Sequence, residues 1–106
     1  MKRTLWVFAF LLAVSSFALG QSQNGSISGI VSDPTGAVIP NAKVTVTSVQ
    51  TNAVRTTLSG GSGAYTVQGL IPQDYTVKVE AAGFSSTTSK LNVAVGSANT
   101  INVKLG

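Results

Sequence analysis

Three carboxylic acids, Asp33, Asp74 and Glu80, are the groups in this 106-residue chain that could serve as general acids, general bases or oxygen ligands. There is no histidine and no cysteine. That removes the side chain titrating near neutrality, the usual nitrogen and sulfur metal ligands, and the thiol nucleophile in one step. A calcium site needs six to eight oxygens, several of them from neighbouring carboxylates. Asp33 and Asp74 both fall in expected corners, and one such pair does not make a site. A glycosidase pair would have to come from the same three acids, and Glu80 faces outward from a strand with no acidic neighbour assignable. Serine and threonine are plentiful, but no G-x-S-x-G elbow and no base accompany them. Gly60-Gly61-Ser62-Gly63 has the composition of a phosphate loop, which needs a following helix to present aligned amides. Here Ala64-Tyr65-Thr66-Val67 follows and reads as a strand, so a hairpin turn is expected. Asn24-Gly25-Ser26 matches the short N-glycosylation pattern. The expectation is a non-enzyme with no cofactor and no metal.

Asp33 opens Asp33-Pro34-Thr35-Gly36, which suits a turn with proline at its second position. Its carboxylate is suited to accept backbone N–H bonds there. Asp33, Pro34 and Gly36 are therefore assigned as a structural corner, with Val38 and Ile39 expected to cap the core beyond it.

The elements that hold these groups are strands. From Gly25 onward the apolar period is two: Val44 and Val46 alternate with Lys43, Thr45 and Thr47, and Tyr75, Val77 and Val79 alternate with Thr76, Lys78 and Glu80. Such alternation places one set in a core and the other in water. The pattern predicts seven strands, roughly 26–32, 42–50, 53–59, 63–68, 74–82, 85–95 and 98–105. Turn residues separate them, including a tight hairpin at Thr51-Asn52, a corner at Ile71-Pro72-Gln73-Asp74 and a kink at Ala82-Gly83-Phe84. Many short strands at regular spacing indicate an all-β, seven-stranded antiparallel β-sandwich. Phe84, Leu91, Val95 and Ile101 are placed in its core, as are Tyr65 and Tyr75, with their hydroxyls reaching an edge. The hydroxyl-rich set Thr45, Thr47, Thr56, Thr57 and Ser85 to Ser89 reads as a solvated face.

The N-terminus carries the clearest signal. Lys2-Arg3 precedes the apolar run Leu5 to Val14, and the small-residue segment Ser15 to Gly20 follows. This is the three-part pattern of a cleavable signal-peptide helix, with cleavage expected between Gly20 and Gln21. Residues 1–20 are the signal peptide, 21–24 a polar tail and 25–106 one domain. The protein is expected to be exported, to the periplasm, the outer membrane or the medium, and to meet a membrane only during export. Without cysteine the exported domain rests on its core alone. The net charge of +4 owes two of its seven cations to the leader, and the other five are scattered singly. A nucleic-acid binder concentrates them on one face, so none is expected.

The pattern Gly29-x-Val31-x-Asp33-x-x-Gly36-x-x-Ile39-Pro40-x-Ala42-x-Val44-x-Val46 resembles the opening of carboxypeptidase regulatory-like domains. Thr57, Gly63-Ala64-Tyr65, Leu70-x-Pro72, Tyr75-x-Val77-x-Val79 and Ala82-Gly83-Phe84 continue the resemblance. The family often has Pro-Gly where this chain has Pro72-Gln73, so a type I-like corner is expected in place of one with positive φ. The resemblance implies a transthyretin-like sandwich and a non-catalytic accessory role. Such domains occur beside metallocarboxypeptidase catalytic domains, as separate secreted modules, and at the N-terminus of TonB-dependent outer-membrane receptors. The function expected is an exported binding module of the cell envelope, its partner an unidentified envelope protein or glycan. The alternative is the first domain of a truncated TonB-dependent receptor engaged in uptake. Carbohydrate binding is one activity such a module would have.

Overall fold

The computed structural model describes residues 23–106, so the expected signal peptide and its Gly20–Gln21 cleavage point lie outside the described residues. The described chain forms eight strands: β1 Gly25–Ser32, β2 Lys43–Ser48, β3 Val54–Leu58, β4 Ala64–Leu70, β5 Asp74–Glu80, β6 Thr87–Asn92, β7 Ala98–Thr100 and β8 Val103–Lys104. They make two sheets. One has the order β4-β1-β7, with β8 continuing alongside β1; the other has the order β3-β2-β5-β6.

The alternation read from the sequence is the alternation observed. Val44 and Val46 face Val79 and Val77 across the β2–β5 ladder, and all four are buried. Each such side chain removed from water contributes roughly 1.5–3 kcal/mol. With Ile27, Val31, Val67, Leu70, Tyr65 and Tyr75 they form one core between the sheets, against which Phe84, Leu91 and Ile101 pack half-buried. Leu105, in phase with Val103, closes it at the C-terminus, and Ala42 is buried beside β2.

Several expectations are corrected. The seventh strand is two, β7 and β8, and both run parallel to β1. The ladder is broken at Ile101-Asn102, where the Asn102 side-chain oxygen takes the Ile30 N–H at 3.0 Å in place of a backbone carbonyl. Val95 is 64% exposed. The chain leaves the β5 ladder at Val93, whose N–H donates to Gln73, then turns through Ala94 to Ser97, so the period of two stops before Val95. Val38 is 46% exposed whereas Ile39 is buried. The β2–β3 connection is wider than a two-residue turn. Ser48 pairs with Ala53, leaving Val49 to Asn52 in the loop, with Asn52 at φ 60. Gly60 to Gly63 does not close a hairpin, because β3 and β4 lie in different sheets. It is the corner by which the chain crosses between them. Gln73 is not among the residues with positive φ, as expected of a corner lacking glycine.

Gly29 is required by close approach. A Cβ there would lie 1.8 Å from the Ile101 carbonyl oxygen and 3.0 Å from the Tyr65 hydroxyl. The Tyr65 hydroxyl passes over this bare backbone and donates to the Ile101 carbonyl, tying β4 to the segment between β7 and β8.

Candidate functional site

The three acids are held apart. Asp33 follows β1. Its Oδ1 accepts the Thr35 hydroxyl at 2.6 Å, the Thr35 N–H at 2.9 Å and the Ala37 N–H at 3.0 Å. Its backbone closes the same turn, the Asp33 N–H donating to Ala37 and the Gly36 N–H to the Asp33 carbonyl. Gly36 sits at φ 90, which an L side chain resists. The Thr35 hydroxyl above all holds the Asp33 carboxyl below the usual range; desolvation opposes it, and the Ala37, Thr35 and Gly36 N–H groups add to the lowering. These donors favour the charged form, and the carboxylate is engaged within its own loop.

Asp74 opens β5 at the other end of the sandwich. In the first sheet Ile30 opposes Ala64 while Gly25 opposes Leu70, so the corner after β1 and the corner before β5 lie at opposite ends. Asp74 accepts a 2.8 Å bond from the Asn92 side chain. Glu80 stands opposite Lys43 at the far end of β5, about 20 Å from Asp74 at the rise of an extended strand. Among the described residues no three acids, histidines or cysteines come within reach of one metal ion.

The glycine-rich corner uses its amides internally. The Gly60 N–H donates to Ala64, the Gly63 N–H to Gly60, and the Gly63 carbonyl accepts from Val31. The strand β4 follows this corner directly, so no helix N-terminus stands behind it to align amides on an anion.

Two buried hydroxyls were not singled out from the sequence. Ser59 Oγ donates to the Ile39 carbonyl at 2.7 Å and accepts the Ala42 N–H at 2.8 Å. Ser48 Oγ accepts the Thr51 N–H at 3.1 Å and shapes the β2–β3 loop. Ser48 is in phase with Val44 and Val46, a signal that could have found it.

What the fold presents outward is the face of the second sheet. The register sets Thr45 beside Thr56 and Lys78, Thr47 beside Thr76, Thr76 beside Lys90 and Lys78 beside Thr88. Thr57 and Ser89 belong to the opposite face and are half-buried, so the outward hydroxyls are those of Thr45, Thr47, Thr56, Thr76 and Thr88. Lys78 and Lys90 stand among them on adjacent strands. At one end a groove of about 580 Å³ lies between the loop after β2 and strands β5 and β6. Val49 forms part of its wall, with Asp74, Thr76, Lys90 and Asn92 supplying polar groups. It holds hydrogen-bond donors and acceptors together with an aliphatic surface, the combination that recognises a polar, partly apolar ligand.

Comparison with known proteins identifies the fold and the family. No curated protein matches the chain. Among solved structures, the Bacillus anthracis TIE protein superposes with a TM-score of 0.68 at 20% identity, covering 78% of this chain and 16% of that one. Catechol 1,2-dioxygenase from Acinetobacter sp. ADP1 gives 0.65 at 13% identity, covering 83% of this chain and 54% of that one. The dioxygenase domain of a dioxygenase carbohydrate-binding protein fusion from Streptomyces sp. SirexAA-E gives 0.64 at 12% identity, covering 82% of each chain. This chain thus spans about half of the Acinetobacter enzyme, and at these identities the likeness is one of fold, the transthyretin-like sandwich. The sequence profile of the carboxypeptidase regulatory-like domain matches residues 26–106. The chain belongs to the carboxypeptidase regulatory-like domain family.

Proposed function

We propose that this protein is an exported, non-catalytic module that binds a glycan of the cell envelope through the outer face of its second sheet. The observation that carries the reading is that face itself. Hydroxyls and the ammonium groups of Lys78 and Lys90 are fixed in register across four strands, with Lys43 facing Glu80 at one end of the same face. A row of hydroxyl and ammonium groups matches the hydroxyls, and any carboxylates or phosphates, of a saccharide chain. The groove beside Val49 would seat one sugar unit, with Asp74 and Asn92 accepting from its hydroxyls and Lys90 donating. Antiparallel sheets commonly leave one face solvated, and a rigid face is a better recognition surface than a loop because less ordering is lost on binding. The non-catalytic role is supported by the placement of the acids, with Asp33 turned into its own loop. Export is supported by the leader pattern of residues 1–20. The same module at the head of a TonB-dependent receptor is the alternative role, and an in-frame barrel encoded after Gly106 would select it.

The test begins with the full chain expressed with its leader. The protein should be recovered from the exported fraction with Gln21 as its first residue, and should be retained on immobilised envelope polysaccharide. Recovery in the cytoplasm with Met1 intact, or release of cleaved sugar from the polysaccharide, would reject the reading.

A further inference from the structure

We propose that the free edge of β3 is the interface by which two copies of this chain join their second sheets into one continuous eight-stranded sheet. The inference is independent of the ligand proposed above and stands or falls separately.

Each of the two sheets has two edges, and three of the four edges are guarded. On β4 the Gln68 carbonyl is taken by the Arg55 guanidinium at 2.9 Å. Gly69, at φ 69, and the register shift opposite it then bend the strand. The opposite edge is broken into β7 and β8, three and two residues long. Breaks and bulges of this kind stop a foreign strand from pairing. On β6 the Val93 N–H donates to Gln73, so the odd-numbered residues bond inward to β5. The backbone groups of Thr88, Lys90 and Asn92 therefore point to the open side, because opposed residues in an antiparallel pair alternate between bonded and non-bonded. Lys90 stands at the centre of that edge, and a charge there is a standard guard.

Among the described residues the β3 edge has no such device. Ser48 donates to Ala53 and Ser59 to Ala42, which places Arg55 and Thr57 in the bonded pairs with β2. The groups pointing outward are then those of Val54, Thr56 and Leu58. Val54 and Leu58 are 57% and 59% exposed. The charged residue of the strand, Arg55, is turned the other way, onto Gln68.

This edge is complementary to itself. An antiparallel pairing centred on Thr56 sets Thr56 against the partner's Thr56, Val54 against the partner's Leu58, and Arg55 against the partner's Thr57. Thr–Thr and aliphatic cross-strand pairs are favourable, and no like charges face each other. The same operation on β6 would set Lys90 against its own copy, which is unfavourable. Charge therefore favours β3 over β6 for a second copy.

The test is sedimentation velocity of the protein recovered from the full chain expressed with its leader, over a rising concentration series. The wild type is expected to pass from monomer to dimer. Thr56→Lys and Thr56→Glu should each weaken association by roughly tenfold or more, since two like charges meet at the dyad. Both should keep the wild-type circular dichroism, because Thr56 is exposed. An equimolar mixture of the two variants should recover the dimer, and Thr88→Lys on β6 should leave association unchanged. A wild type that stays monomeric throughout, a Thr56→Lys protein that dimerises like the wild type, or a mixture that fails to recover would each overturn the proposal.

Discussion

Replacing Ser59 by alanine should be among the most damaging small changes available in this fold. Ser59 is 2% exposed and begins the crossing from β3. Its backbone N–H donates to Ala42 and its carbonyl accepts from Asn41, while its hydroxyl serves the Ala42 N–H and the Ile39 carbonyl. Alanine keeps the backbone bonds and deletes the hydroxyl, so one donor and one acceptor lose their partner in a closed site. An unpaired buried polar group costs about 1–3 kcal/mol. Two such groups, the carbonyl the cheaper because it has a second lone pair, come to about 2–4 kcal/mol. A domain of this length holds roughly 4–12 kcal/mol in all. At about 4–8 °C per kcal/mol, the melting temperature should fall by roughly 10–30 °C. Urea unfolding followed by circular dichroism measures this, and the slope with denaturant should not change while the midpoint falls. Ser62→Ala, at an exposed position in the same corner, should stay within about 0.5 kcal/mol of wild type. A Ser59→Ala midpoint indistinguishable from that of Ser62→Ala would refute the reasoning, since the site would then admit water or relax freely.

Other substitutions test the remaining ties. Gly29→Ala should prevent folding or cost more than about 3 kcal/mol, because its Cβ meets backbone at 1.8 Å; thermal unfolding of the variant checks this. Tyr65→Phe should cost about 1–2 kcal/mol through the orphaned Ile101 carbonyl, read from the urea midpoint. Burial raises the Tyr65 hydroxyl above its ordinary value of 10.0. The stability this gives is full below pH 10 and is lost as pH rises through the folded-state value. An alkaline stability profile should therefore flatten in Tyr65→Phe. Asp33 has the opposite sign: its lowered value gives stability present above 3.8 and lost as pH falls through the folded-state value. Melting curves between neutral and acid pH should show this loss in the wild type and little of it in Asp33→Asn, whose side-chain oxygen can still accept from Thr35 and Ala37.

Much of this fold was legible because its strands obey a strict period of two. The residues that alternate in the sequence from Val44 to Val46 and from Tyr75 to Val79 are the ones that meet in the core. The Asp33 turn was legible for a different reason, since Asp-Pro-x-Gly carries its own local chemistry. What the sequence hid was whatever depends on distant partners. The parallel course of β7 and β8 is set by pairing with β1 about 70 positions away. Their break is bridged by Asn102, a residue with no local signal for that task. Val95 misled because the alternation continues into a turn, where phase no longer means face. The corner at Gly60 to Gly63 looked like a hairpin because a glycine-rich turn has the same composition whether the chain stays in one sheet or crosses to another. The outward face was partly visible, with Thr45, Thr47, Thr56 and Thr88 among the residues placed on it, although Thr57 and Ser89 of the same set turn the other way. The place of Thr76 and Lys90 beside them needed the register.

The central claim is that the outer face of the second sheet binds an envelope glycan without turning it over. Equilibrium dialysis of the protein expressed with its leader against a purified envelope polysaccharide tests it most directly, with Lys78→Ala combined with Lys90→Ala as the comparison. Both side chains are exposed, so the variant should fold as the wild type does. The account predicts saturable binding by the wild type, the polysaccharide recovered intact, and several-fold weaker binding by the double variant. Binding unaffected by loss of both lysines, or none by the wild type, would contradict it.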